Sequence, residues 1–305
     1  MKKIIIDKRD LRDKGEYDGR ASRPIPNSEV IRAVNEAVCS DYLYDDTLLE
    51  KFLNVFFTWV QNSNLNKLHG LEKFDKLSYT HGTSQAFDFF FMANKNKRFR
   101  CFKGDFVYHK VSWNSYYKNW EYVEDDDIQE GDAVVISLPF SDSGNIHPEM
   151  NNILDKCDEL NVPVLLDCAY YHISGGIEFD LNRPCIDTVT FSLSKPFYGA
   201  ERLRIGMRCK KTYDDDAVDL FNQFNMLSRM ALGVGIKLCE TFHPDYNYLK
   251  FREQQIKICK ELEIEPSNSV IFGLASKNHP KFGNYCRGSD YRRVGISKLL
   301  GDCNG

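Results

Sequence analysis

Apolar positions along this chain recur with two different periods. Residues 30, 31, 34 and 38 are apolar behind Asn27 or Ser28 as N-cap, which predicts a helix over about 28–39. A second helix is predicted over about 47–62, where Leu48, Leu49, Phe52, Leu53, Phe56, Phe57 and Val60 recur. The pattern then shortens. Apolar runs at 77–80, 98–102, 133–138, 162–167, 188–191 and 205–207 have strand length. Helical patterns at 85–94 and 148–160 lie between them. Strands alternating with helices over 77–207 predict a mainly parallel α/β sheet, with a site at the carboxyl ends of its strands.

Residues 1–26 read as an extended arm with a short strand, then charged residues, then Pro24 and Pro26. Beyond Met207 one helix is predicted over about 215–231, and GVGIKLCETF continues in helical character. A charged amphipathic helix follows over 246–263, and the last part reads as strands and loops. The division expected is an arm and helix at 1–40, a large domain at 41–225 and a small domain at 226–305.

Composition narrows the function classes. At 305 residues the chain can bury a large core. Its net charge of −4, without a basic block, argues against nucleic acid or an anionic membrane as partner. Its longest apolar runs are strand-sized, so no membrane span is expected. The start, MKKIII, is too short in apolar residues for a signal peptide. Ten scattered cysteines without a CxxC pair predict reduced thiols in a cytoplasmic protein. Seven histidines show no metal-ligand spacing, so no metal is expected.

The candidate chemistry lies in TVTFSLSKPFYGAERLRIGM (188–207). A buried strand turns polar at Ser192 and Ser194 and reaches Lys195; Arg202 and Arg204 follow. A lysine amine in that place can form a Schiff base with an aldehyde, and hydroxyls with a guanidinium can hold a phosphate. A solvated strand-end lysine is the plain alternative. Two upstream strands add to it: 133–138 runs into PFSDSG, and 162–167 ends in Asp167.

Asp167-Cys168-Ala169-Tyr170, Ser192-Leu193-Ser194-Lys195 and Arg204-Ile205-Gly206 occur in that order, and Lys195 lies 28 residues after Asp167. In order and spacing these segments resemble the fold-type I pyridoxal-phosphate enzymes, most closely the class I/II aminotransferases. The resemblance covers about 25–210. It implies a three-layer large domain with a mainly parallel mixed sheet, plus a small, reduced α+β domain. It implies pyridoxal 5'-phosphate as cofactor, and transfer of an amino group from an amino acid to a 2-oxo acid.

The resemblance also implies roles. Lys195 would carry the cofactor as an internal aldimine and move the substrate proton. Asp167 would keep the ring nitrogen protonated, and Tyr170 would bond its phenolic oxygen. Gly82, Thr83 and Ser84, in a turn opening a helix, would take the phosphate with Ser192 and Arg204, or Arg202 in its place. Tyr108 is preferred over Phe106 as the ring stacked on the cofactor. Ser141 stands where the family has asparagine, with Asp142 at the proline position, so the bond to the phenolic oxygen has a shorter donor. Tyr44, or Tyr42, would reach the phosphate of a partner subunit, making a homodimer with shared sites. Arg293, with Arg292 beside it, would bind the substrate carboxylate. Decarboxylation, β- or γ-elimination and oxidase-type reactions are the rivals on the same scaffold. A non-catalytic binding protein with this fold is a further one. A nicotinamide dehydrogenase would need the GxGxxG that the chain lacks.

Overall fold

The computed structural model describes residues 22–302; the strand expected near the N-terminus lies outside them. In chain order come α1 (Ser28–Ala37), α2 (Leu48–Gln61), β1 (Lys67–His69), β2 (Lys76–His81), α3 (Thr83–Ala93) and β3 (Arg98–Cys101). Then follow α4 (Val107–Ser112), β4 (Trp120–Tyr122), β5 (Asp132–Ser137), α5 (Met150–Glu159), β6 (Val164–Asp167) and β7 (Glu178–Asp180). The third stretch holds β8 (Ile186–Ser192), α6 (Ala200–Leu203), β9 (Ile205–Lys210), α7 (Ala217–Gln223) and α8 (Arg229–Thr241). The chain closes with α9 (Tyr246–Glu261), β10 (Glu265–Pro266), β11 (Phe272–Leu274), β12 (Arg293–Gly295) and α10 (Ser297–Leu300).

Seven strands form the main sheet in the order β2-β9-β8-β6-β5-β3-β4. From β8 to β4 every pairing is parallel, and β9 runs antiparallel to both its neighbours. This is the mainly parallel sheet expected from the alternation, mixed as the resemblance implies. β5 and β6 are buried at every position, so their Val, Ile and Leu runs read as continuous rather than alternating. Helices cover the sheet. α2 packs on α8, and the fully buried Phe52 and Phe56 of α2 join the main core. Each such side chain contributes about 1.5–3 kcal/mol of burial.

One expectation about the helices needs correction, and one helix was not expected. The single helix over 215–231 is two: α7 ends at Gln223, Asn225 takes φ 54°, and Ser228 caps α8 by accepting from the Ala231 N–H. Helical periodicity continues across the gap, but a left-handed residue and a new N-cap interrupt the backbone ladder. Residues 107–112, where the residue pattern marks no element, form α4, followed by one π-helical turn at Trp113–Tyr117. Their β-branched and aromatic content hides the helix, which is held by packing of His109, Trp113 and Tyr117 against Phe91 and Phe99.

A second core gathers Phe251 and Ile258 of α9, Phe272 of β11, Val294 of β12 and Leu300 of α10, together with Ile25 and Tyr170. β10, β11 and β12 make a three-stranded antiparallel sheet there. α8 belongs instead to the main core, on α1 and α2. Tyr170 therefore sits where the two cores meet.

Candidate active site

Parallel strands of one sheet deliver their carboxyl ends to one edge, and the cavity lies at that edge. Its volume is about 500 Å³. β5 brings Ser137, β6 brings Asp167 and the turn to Tyr170, and the turn after β8 brings Ser194 and Lys195. Ser137 and Asp167 are direct register partners.

Asp167 is 5% exposed, and its Oδ1 accepts from the Ala169 N–H at 3.1 Å. Burial, and next the charge of Asp105, pushes its carboxyl up to about 7. A cationic N–H donor brought to this carboxylate would relieve that cost. The Lys195 amine lies in the cavity and donates to the Ser22 carbonyl oxygen at 2.6 Å. Tyr170 shares a 2.6 Å hydrogen bond with the Ser22 hydroxyl. Burial would raise the Tyr170 phenol, but Lys195, Arg293, the Ser22 bond and Arg287 together bring it below its ordinary value.

An anion cradle closes the other end. Thr83 and Ser84 open α3, whose first N–H groups have no partner within the helix. Arg204 Nη2 donates to Ser84 Oγ at 2.7 Å, and the Arg204 carbonyl accepts from the Tyr79 hydroxyl at 3.2 Å. Gly82 has φ 68°, and a Cβ there would stand 2.6 Å from Arg204 Nη2. A Cβ on Gly206 would stand 2.7 Å from the Gly82 Cα. Both glycines are thus required by close approach of β9 to the β2–α3 turn.

Thr83, Ser84, Tyr108, Ser141, Asp167, Tyr170, Lys195 and Arg204 all face the cavity. Four others do not line it. Gly82 lies under Arg204. Ser192 is buried and ties the turn: its hydroxyl bonds the Ser194 hydroxyl at 2.8 Å and donates to the Ile205 carbonyl at 3.1 Å. Arg293 lies behind Ser141, donating to its carbonyl at 2.7 Å. Tyr44 is 85% exposed.

The open alternatives also have places. Arg202 lines the rim, with its side chain 78% exposed. Tyr42 lies against α8, close enough that a Cβ on Gly233 would meet its ring at 2.2 Å. Arg292 donates to the Gly283, Ser289 and Tyr291 carbonyls. Phe106 also lines the cavity and lies parallel to Tyr108 with ring centroids 6.0 Å apart. The Tyr108 hydroxyl bonds both oxygens of Asp88 at 2.8 Å.

Sequence reasoning did not find Ser22, Arg23, Ser137, Glu201 or Asp105. The first four line the cavity. Asp105 lies beneath it, bonded to Ser137. One signal was available for Asp105: a carboxylate in the turn after a buried parallel strand, where such sheets carry their sites. Nothing local marks Ser22, which comes from 173 residues before Lys195. Among the described residues no group of three His, Cys, Asp or Glu could hold a metal ion, and no helix is long and apolar enough to cross a membrane.

No protein-family model matches the sequence, and a search of curated proteins finds no relative. Solved structures do match. The histidinol-phosphate aminotransferase from Clostridium acetobutylicum superposes with TM-score 0.62 at 11% identity, covering 92% of this chain and 94% of that one. The chain has the fold of fold-type I pyridoxal-phosphate enzymes. A PLP-bound C-S lyase from Staphylococcus hominis gives TM-score 0.64 at 12% identity, with 96% of this chain and 87% of that one covered. The tyrosine aminotransferase from Leishmania infantum gives 0.63 at 15%, with 91% and 87% covered. On this fold-type I scaffold the cavity, Asp167, Lys195 and the cradle have the donors and acceptors that pyridoxal phosphate needs. The buried Asp167 carboxylate could pair with a cationic ring nitrogen, and the first turn of α3 with Arg204 could take a dianion.

Proposed function

We propose that this protein is a pyridoxal-phosphate-dependent aminotransferase that moves an amino group from an amino acid to a 2-oxo acid. One observation carries the reading: the Lys195 amine and the buried Asp167 carboxylate share one cavity with an anion cradle at its end. Bound there, the cofactor supplies an aldehyde that condenses with amines and a protonated ring that withdraws electrons. Asp167 holds that ring nitrogen in its charged form. Thr83, Ser84 and Arg204 fix the phosphate. Lys195, with its amine free, takes the proton from the substrate α-carbon. Tyr170 holds the phenolic oxygen, its phenol kept acidic by Lys195 and Arg293. Phe106 or Tyr108 covers the ring face.

Arg293 stays the proposed partner of the α-carboxylate on the strength of the family resemblance alone, because here it lies behind Ser141 and donates to its carbonyl at 2.7 Å. A homodimer is part of the reading. Leu43, Tyr44, Phe224 and Met226 are large, apolar and exposed. Their two loops are joined where Asn225 donates to the Asp46 carbonyl and Arg229 to the Asp45 carbonyl. A second copy over this patch would bury it and bring Tyr44 to the partner's cradle.

The test is the visible absorption of the purified protein, before and after borohydride, beside Lys195→Ala. A yellow protein whose colour is fixed on Lys195 by reduction is expected. An amino acid alone should then convert it to the pyridoxamine form, and a 2-oxo acid should restore it. A wild type that stays colourless with added pyridoxal phosphate overturns the reading. Likeness to the C-S lyase, with serine at 141, favours β-elimination as second reading. Release of ammonia and a 2-oxo acid without any acceptor would select it.

A further inference from the structure

Asp105 is a buried carboxylate beside the cavity that the reaction above does not use. It follows Gly104 in the turn after β3 and is 1% exposed. Its side chain turns back under the sheet edge. Oδ1 accepts from the Phe106 N–H at 2.7 Å and from the Ser137 hydroxyl; Oδ2 accepts from the Ser137 N–H at 3.2 Å. All three donors are neutral, so these bonds fix the carboxylate without cancelling its charge. Two cations lie near it, and the Asp105 charge acts on one of them, Lys110. The buried Lys110 amine donates to the Asp105 carbonyl oxygen at 2.5 Å, and Arg287 pairs with Asp142 at 3.2 Å.

Ser137 is the strand neighbour of Asp167, and both face the cavity. The floor therefore carries two carboxylates, one touching the cavity and one a hydrogen bond behind it. We infer that Asp105 is a positioning residue that acts through Ser137 and Asp167 to make the cavity floor select a ring carrying a cationic N–H. This assignment rests on the pyridoxal-phosphate reading of the same site. Its physical basis is simple. Two like charges in a buried site raise each other's cost, and a single cation bonded to one of them relieves both. The attraction would act on a ring nitrogen held by Asp167, and little on a phosphate held by Thr83, Ser84 and Arg204 or on an aldehyde at Lys195. It is supported by the upward push that Asp105 exerts on the Asp167 carboxyl.

The test compares two probes on the full chain freed of cofactor: pyridoxal phosphate, and its carbon analogue in which C–H replaces the ring nitrogen. Dissociation constants are read by absorbance or protein fluorescence for wild type and Asp105→Asn. Asp105→Asn should weaken pyridoxal phosphate about tenfold, the equivalent of one pKa unit. It should leave the carbon analogue nearly unchanged. A merely structural role would weaken both probes alike, and that result overturns the inference, as does no change in either. Ser137→Ala, which removes the linking hydroxyl, is the second variant should Asp105→Asn not fold. It should lower the preference for the nitrogen probe in the same direction, and an unchanged preference overturns the inference. If wild type binds the carbon analogue as tightly as pyridoxal phosphate, this inference fails while the cofactor reading stands. If wild type binds neither probe, the cofactor reading has failed and this assignment falls with it.

Discussion

The Lys195 amine donates to the Ser22 carbonyl oxygen at 2.6 Å, and the Ser22 hydroxyl meets Tyr170 at the same distance. One residue of the N-terminal segment thus bridges the two groups that the proposed chemistry most needs. Both partners bear on the Tyr170 phenol, Lys195 by charge and Ser22 by its hydrogen bond, with Lys195 the larger influence. Lys195→Met should therefore raise the Tyr170 phenol markedly, and Ser22→Ala should raise it less. Tyrosinate absorbance followed against pH, with Tyr170→Phe as reference, reads the order. A larger rise in Ser22→Ala than in Lys195→Met would refute this account.

Asp167 should make the cofactor-free protein less stable as pH rises. Its carboxyl is pushed from the ordinary 3.8 up to about 7 by burial and by Asp105. The folded state therefore binds this proton more tightly than the unfolded state. The stabilising contribution is complete below about pH 4 and is lost as pH climbs through about 7. The loss is of the order of 4 kcal/mol, at about 1.4 kcal/mol for each pKa unit. Asp167→Asn, which stays neutral, should be more stable than wild type at pH 8 and equal to it near pH 4. Urea unfolding of both proteins across that range measures the difference. With cofactor bound the order at pH 8 should reverse, because wild type alone then has a carboxylate for the ring nitrogen.

Periodicity carried most of the secondary structure because the central strands are buried on both faces and the helices on one. It failed where packing overrules local preference, as in α4, whose Val107-Tyr108-His109 run has no helical signature. The site was legible in part. Lys195, Asp167 and the α3 turn sit at strand ends, where topology alone brings them together. Ser22 was not legible, since its role depends on contacts with Lys195 and Tyr170 far along the chain, and Asp105 was marked only by its place after a buried parallel strand. Arg204, which the Arg-x-Gly match favours, reaches Ser84 with its guanidinium beside the Gly82 turn, while Arg202 stands at the rim.

Gly82→Ala should damage the cradle twice. The backbone at φ 68° disfavours any side chain, and the new Cβ would meet Arg204 Nη2 at 2.6 Å. Strain of this kind costs about 1–3 kcal/mol. The variant should melt earlier, and its affinity for pyridoxal phosphate should fall further than its affinity for phosphate-free pyridoxal. Equal losses for both probes would mean that the cradle does not hold the phosphate.

Tyr44 and Tyr42 offer the sharpest test of a shared site. Tyr42 is packed on α8 of its own chain, at a place where Gly233 leaves room for its ring. Tyr44 stands 85% exposed beside Leu43, on the patch assigned to a second copy. A hydroxyl hydrogen bond to a charged phosphate contributes about 1.5–3 kcal/mol. Tyr44→Phe should therefore weaken cofactor binding by about tenfold or more while leaving the monomer fold intact. Tyr42→Phe should leave cofactor affinity unchanged. On the shared-site proposal, the effect of Tyr44→Phe should vanish under dilution that separates the subunits. Cofactor titrations at two protein concentrations, paired with light scattering for mass, separate these outcomes. An effect of Tyr44→Phe that persists in the monomer would place the tyrosine in its own protomer's site and remove the argument for sharing.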